Sequence, residues 1–286
     1  MSGNRRLIYT ASVGNSIQLP VLEFEEGLEY WALLGGKAAE AQDESGKWKF
    51  LRVNGLVQPG SRQAQLQHRE CKILADQSFD EFDSILYIDP TVEILLRPSA
   101  LIEEFEKRGE NICFVGHSFR KNLREEYKEV FRLGLDYAVT IFDHYHSLNE
   151  TRDLGKMPIN WGGMFWTNNS LVAQEFRKRW FGFVQSGSAR DQLSLPLALE
   201  GFEHGVITLD NNSSFYHKWP NRKNQTRIWN RRYGFSSLAK PRFALSYLLR
   251  NLTVNLLFSN LIGRNQFLRR FSRWVLIKMS LHDVWN

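Results

Sequence analysis

Asp89, Thr91 and Glu93 are the residues whose types and spacing most invite chemistry. They follow Ile85-Leu86-Tyr87-Ile88, an apolar, β-prone run that reads as a buried strand ending in a carboxylate. In open α/β sheets the C-terminal edge of the strands is where ligands sit. Pro90 ends regular pairing because it has no N–H for a ladder bond. If the chain stays extended, the two-residue alternation puts Asp89, Thr91 and Glu93 on one side. Such a set of hard oxygen donors suits Mg²⁺ or Mn²⁺ together with a phosphate. A strand-ending Asp that caps a turn is the plain alternative.

A second group precedes that strand. Pro59-Gly60-Ser61 starts a helix with Ser61 as its N-cap. On it Arg62, Arg69 and Lys72 fall within roughly 80° of one another at helical spacing. Cations on one face could neutralise a diphosphate, or simply form a solvated face. A third candidate is Asp191, in Ser188-Ala189-Arg190-Asp191-Gln192 at a helix start, where an Asp also suits the helix dipole.

These groups need a scaffold that repeats strand and helix. Arg6–Val13 reads as a first strand ending in small residues and Gly14, as a nucleotide-binding α/β domain opens. Strands are also expected at 28–34, 47–53, 85–89, 111–116, 158–166 and 206–210. Helices are expected from Ser61, from Pro98-Ser99, over a long run from Phe119 to Tyr145, after Asn169-Ser170 and after Arg190. In Trp161-Gly162-Gly163-Met164-Phe165-Trp166 the glycines suggest backbone packed closely against a ligand or a sheet. Trp161 and Trp166 could offer a flat stacking face or be core. The alternation over 1–220 makes the fold α/β.

The 286 residues include 43% hydrophobic and 13% aromatic residues, enough for a substantial core and against disorder. Two cysteines, Cys71 and Cys113, argue against a disulfide framework and for a reducing compartment. No signal-peptide pattern opens the chain. The most apolar stretch, Phe243 to Ile262, is interrupted by Arg250, Asn251, Asn255 and Asn260, so no transmembrane helix is expected. The location expected is cytoplasmic.

Charge is uneven. Residues 221–286 hold 13 Lys/Arg and one acid, Asp283, or +12, whereas 1–220 carry −6. A basic tail points to an anionic partner. One helical pattern there aligns Leu245, Leu248, Leu249, Leu252 and Leu256. The next aligns Phe267, Leu268, Phe271, Trp274 and Val275 opposite Arg269, Arg270 and Arg273, with Lys278 at the end. That is the pattern of an interfacial helix at an anionic membrane, through residues 240–286, or of helices packed on the body. Residues 217–233 interleave aromatics with cations, a workable single-strand nucleic-acid surface, but no nucleic-acid fold signature accompanies them.

Taken in order, five short blocks resemble a known family. These are Tyr9-Thr10-Ala11 with Gly14; Arg69-Glu70-Cys71-Lys72-Ile73-Leu74; Tyr87-Ile88-Asp89; His117 and Arg120 with Glu125-Glu126; and Arg190-Asp191-Gln192-Leu193-Ser194. Over most of 1–235 the chain resembles the TOD/MUCI-type glycosyltransferase-like domain of plant pectin-related and pollen-tube proteins and bacterial homologues. It departs at Ala75-Asp76, where Pro-His is frequent, and at Pro90-Thr91, where Gly-Asn is commoner.

The resemblance implies a GT-A-like, nucleotide-sugar-binding mixed sheet flanked by helices over 1–235. Residues 236–286 remain as a basic helical extension. It also implies transfer from a nucleoside diphosphate sugar to a glycan or lipid-linked acceptor, metal-assisted, in surface polysaccharide synthesis at the inner face of a membrane. Thr10, Ala11, Gly14, Arg69, Lys72, Asp89, His117, Arg190 and Gln192 are then the donor-binding residues. Asp89, Thr91 and His217 would hold Mn²⁺ or Mg²⁺, and Asp191 would be the acceptor-side base or a substrate-positioning carboxylate. A catalytically degenerate scaffold or a non-enzymatic binding protein is the other reading.

Overall fold

The computed structural model describes residues 5–14, 17–53, 58, 61–95, 97–117, 120–207, 217–218 and 241–280. Its described residues divide into two compact units. One comprises 1–119 and 160–219; the other comprises 120–159 and 220–286.

The first unit is the expected α/β domain. Among the described residues, seven strands form one mixed sheet. They are β1 (Arg6–Gly14), β2 (Leu28–Gly36), β3 (Lys49–Arg52), β4 (Ser84–Ile88), β6 (Ile112–Gly116), β7 (Asn160–Asn168) and β8 (Gly205–Ile207), in the order β3-β2-β1-β4-β7-β6-β8. β1, β2, β3 and β4 are parallel. β7 runs against both β4 and β6. A separate ladder pairs β5 (Glu93–Ile94) with β9 (His217–Lys218).

The chain thus builds β1, β2 and β3 outward, then returns to the other side of β1 with β4. The β1/β4 boundary is a topological switch point, where the connections diverge; in open α/β sheets ligands bind at the carboxyl ends of the strands at such a point. β1 and β2 end at that edge in Gly14 and Gly36, and Asp89 and His117 follow the ends of β4 and β6 there.

Alternation along the strands sorts two cores onto the two faces. Tyr9, Tyr87 and Phe165 pack with α1 (Arg62–Ile73), α5 (Leu171–Ser186) and α6 (Asp191–Leu199), through Cys71, Ile73, Phe176, Trp180 and Leu195. Ile8, Leu86, Ile88 and Trp166 pack on the other face, with Leu101, Ile102 and Phe105 of α2 (Pro98–Glu106). Local signals set the helix starts as expected. Ser61 Oγ accepts from the Ala64 N–H, and Ser170 Oγ from the Ala173 N–H.

The second unit contains α3 (Leu123–Leu133), α4 (Ala138–Asn149), α7 (Pro241–Leu257), α8 (Asn260–Arg264) and α9 (Gln266–Ser280). The single long helix expected from Phe119 to Tyr145 is two helices. Gly134 breaks it, adopting φ +60° as the left-handed C-cap of α3. The guanidinium of Arg250 reaches in beside it and donates to the Phe131 carbonyl at 3.1 Å, satisfying an α3 C-terminal acceptor. The His146 imidazole and the Tyr145 hydroxyl bond the carbonyls of Leu257 and Phe258. Compactness therefore joins 120–159 to the tail, a division other than 1–235 and 236–286. No helix of the described residues is long and apolar enough to cross a membrane.

Candidate functional site

The site lies at the carboxyl edge of the sheet beside the switch point, and it is built from α1, β4, β7 and α6. Asp89 is the first residue beyond β4. Its N–H donates to the Gly163 carbonyl at 2.8 Å, so β7 fixes its backbone. Its side chain lies on the Tyr87 face, and Oδ1 accepts from the Tyr87 hydroxyl at 2.6 Å. The Tyr87 hydroxyl is raised well above its usual pKa, by burial first and then by the Asp89 charge, so it stays a donor.

The extended run expected beyond Asp89 does not form. The Val92 N–H closes onto the Asp89 carbonyl at 2.9 Å, a turn that Pro90 favours by its fixed φ. The alternation is lost there, and Glu93 enters the β5 ladder with β9. Thr91 is exposed in the turn itself. Asp89, Thr91 and Glu93 are therefore not the one-sided row of oxygens that spacing suggests.

The cations of α1 turn instead toward a carboxylate remote in sequence. Lys72 Nζ lies 2.6 Å from Asp191 Oδ2 and 3.6 Å from Asp89 Oδ1. Arg69 Nε lies 3.1 Å from Asp191 Oδ1 and donates to the Ala189 carbonyl at 3.3 Å. Arg62 donates to the Gly187 carbonyl at 2.8 Å. The basic face of α1 thus holds the loop entering α6, rather than lying open as a solvated face. Lys72 also sits over the Tyr87 ring, 5.0 Å from its centroid, and the Tyr9 hydroxyl donates to its carbonyl.

Asp191 is the first residue of α6, with Arg190 before it and Gln192 after it. Trp180 Nε1 donates to its carbonyl at 3.0 Å, which ties the helix start to the core. Burial opposes charge on this carboxyl, but Arg69, Lys72 and Arg190 outweigh it and hold the pKa well below the usual carboxylate range. The side chain is 5% exposed, against 25% for Asp89. Asp191 is a buried anion already satisfied by cations, and Asp89 is the carboxylate that faces outward. Of the two roles open to Asp191, this geometry favours positioning over proton abstraction, since a base needs a pKa near the working pH and access to the acceptor.

The Gly162-Gly163 pair explains how the two halves meet. β7 slips register against β6 here, from Phe114↔Phe165 to Val115↔Trp161. A Cβ on Gly162 would lie 3.5 Å from Asp191 Oδ2 and 3.7 Å from Lys72 Nζ, so its backbone forms one wall of the ion-pair cluster. A Cβ on Gly163 would come within 2.3 Å of the Trp161 ring, which folds across it. Trp161 and Trp166 are core residues, 6% and 4% exposed, not a stacking face. Trp166 Nε1 is spent on Ser84 Oγ at 2.6 Å.

Thr10 and Ala11 are wholly buried on opposite faces of β1, and Thr10 Oγ1 has no hydrogen-bond partner among the described residues. Gly14 ends β1 opposite Gly36. His117 follows β6 at the same edge, half-buried. Arg120 pairs with Glu126 in the helical unit, 3.1 Å away. The backbone of His217 pairs with Ile94 just beyond the Asp89 turn, while its side chain lies outside what the structure describes. Most of 217–233 also lies outside the described residues.

His68 was not singled out by sequence. It shares the α1 face with Arg69 and Lys72, and its i,i+4 spacing from Lys72 was the available signal. Burial first, then the charges of Arg69 and Lys72, keep its pKa well below the usual value, so the ring is neutral at neutral pH. His68 Nε2 and Gln192 Nε2 are buried without a hydrogen-bond partner among the described residues.

No family model matches the chain, and no curated protein matches it. Among solved structures, one that is similar is the apo crystal structure of mouse xyloside xylosyltransferase 1. The TM-score is 0.41 at 12% identity, over 72% of this chain and 85% of that one. A likeness of that depth decides nothing about chemistry, which rests on the residues above. They define a mixed α/β domain with a charged edge at its switch point.

Proposed function

We propose that this edge binds a nucleoside diphosphate sugar and that the protein is a GT-A-like glycosyltransferase acting on a glycan or lipid-linked acceptor. The observation that carries the reading is the placement of Asp89: a partly exposed carboxylate at the switch-point end of β4, buttressed by Tyr87, Lys72 and the Gly163 carbonyl. Glycosyl transfer from such a donor requires the leaving diphosphate to be neutralised and the acceptor hydroxyl to be held.

The charges in the cluster support a role for a divalent cation. Arg69, Lys72 and Arg190 face Asp89 and Asp191, so the resident cations are largely offset by resident carboxylates. A diphosphate entering here needs more positive charge than the protein leaves available. Among the described residues there is no cluster of three or more His, Cys, Asp or Glu that would cage a metal alone. One carboxylate with substrate phosphates and water completing the shell is a usual mode for Mg²⁺, and Asp89 fits it. Thr91 and His217 are the candidates to add a donor. When bound, the cation would supply Lewis-acid stabilisation of the leaving diphosphate.

The chain's own residues have separable tasks. Lys72, shared between Asp89 and Asp191, holds Asp89 in place and can turn toward a phosphate. Asp191 fixes Arg69 and Lys72. The unpartnered nitrogens of His68 and Gln192 are donors or acceptors for a polar ligand or ordered water. The test is a thermal-shift screen with a panel of nucleoside diphosphate sugars, with Mn²⁺ and with chelator. Stabilisation by at least one donor, larger with the metal, is expected; no response to any donor under either condition removes the reading.

A further inference from the structure

The tail helices are packed with their aromatic and leucine face outward. On α9, Ser272 and Leu276 are buried, and Arg273 Nε bonds the Asp143 carboxylate of α4 at 2.9 Å. Arg269 likewise pairs with Glu150. Two of the three arginines opposite the aromatic stripe are thus committed to α4, and the stripe is what faces solvent. Phe267 is 75% exposed, and Phe271 and Trp274 are more than half exposed and stacked on each other. α7 does the same: Arg250, Val254 and Leu257 are buried, while Leu252 and Leu256 stand out. Leu261 of α8 is exposed as well. Most of the large apolar side chains exposed among the described residues lie in 249–277, a concentration that isolated surface residues do not produce.

We infer that this aromatic and leucine face is a docking surface for an anionic lipid bilayer, which it enters without crossing. The inference is independent of the sugar chemistry. Three observations select the occupant. The face has the composition of an interfacial helix, with Trp and Phe beside exposed Arg264, Arg270 and Lys278. The tail's charge is +12 with Asp283 as its one acid, so a second copy on this face would set like charge against like. No helix among the described residues is long and apolar enough to span a bilayer, so insertion stops at the interface.

The test is co-sedimentation of the full chain with vesicles of phosphatidylcholine alone and of phosphatidylcholine mixed with phosphatidylserine, at low and high salt. Binding to the mixed vesicles that weakens with salt is expected. The variant carrying Phe267→Ser, Phe271→Ser and Trp274→Ser should lose roughly a hundredfold in partition coefficient, since each apolar side chain contributes severalfold. These side chains are exposed, so its circular dichroism should match the parent. The inference is overturned if the parent ignores mixed vesicles or if the variant binds as well. It is also overturned if sedimentation velocity shows a dimer that the three substitutions dissolve, which would make a second copy the occupant.

Discussion

Asp191→Asn should unmask the central ion cluster. The substitution keeps the shape of the side chain and removes the charge that satisfies Arg69 and Lys72. Lys72 is almost wholly buried, and its only other anionic neighbour within 4 Å among the described residues is Asp89 at 3.6 Å. Removing one partner of a buried pair costs about 3–5 kcal/mol, because the partner's desolvation is left uncompensated. Asp89 offsets part of that, so about 3 kcal/mol at neutral pH is expected, or roughly 6–12 °C in melting temperature for a unit of this size. The pH dependence has a definite sign. Asp191 titrates lower folded than unfolded, so its contribution is full above the unfolded carboxylate range and is lost as pH falls toward the folded value. Parent and variant should therefore converge as pH is lowered below about 4. Paired thermal melts across that range provide the assay. A variant as stable as the parent at neutral pH, or a gap that does not narrow in acid, would refute the assignment of Asp191 as an ionised buried anchor.

Gly163→Ala should cost about 1–3 kcal/mol in urea unfolding, because the added carbon meets the Trp161 ring at 2.3 Å, and it should weaken ligand binding by shifting Asp89. Pairing it with Trp161→Leu should recover part of the loss; no recovery would sink the clash as the cause. The His68 ring protons should show no titration by NMR near pH 6.5, because burial and the two neighbouring cations keep the imidazole neutral. With its pKa lowered in the fold, His68 favours stability above the unfolded value and opposes it as pH falls and the ring must charge.

What could be read from the sequence follows the range of each interaction. β4 ending in Asp89 was legible because an apolar run closed by Asp-Pro is a local signal. So was α1 from Ser61, and so was the close backbone approach at Gly162-Gly163. The turn at Asp89–Val92 was also locally encoded in Pro90, but extended alternation competes with it and only the Val92 N–H decides between them. The partner of Arg69 and Lys72 was not legible. Asp191 is remote in the chain, and a basic helix face looks the same in sequence whether water or a carboxylate covers it. The break at Gly134 was locally encoded, since glycine readily takes the left-handed C-cap conformation, while the added bond from Arg250 to the Phe131 carbonyl was not legible. The outward face of α9 was equally hidden, since amphipathic spacing gives two faces without saying which one meets Asp143 and Glu150.

The proposed function stands on Asp89 as the outward carboxylate of a nucleoside diphosphate site. Calorimetric titration of nucleoside diphosphates into the full chain and into Asp89→Asn, each with Mn²⁺, tests it most directly. Saturable, metal-dependent binding of at least one diphosphate to the parent is expected, with that binding lost in a variant whose circular dichroism is unchanged. Equal binding by Asp89→Asn, or no binding of any diphosphate by the parent, would contradict it.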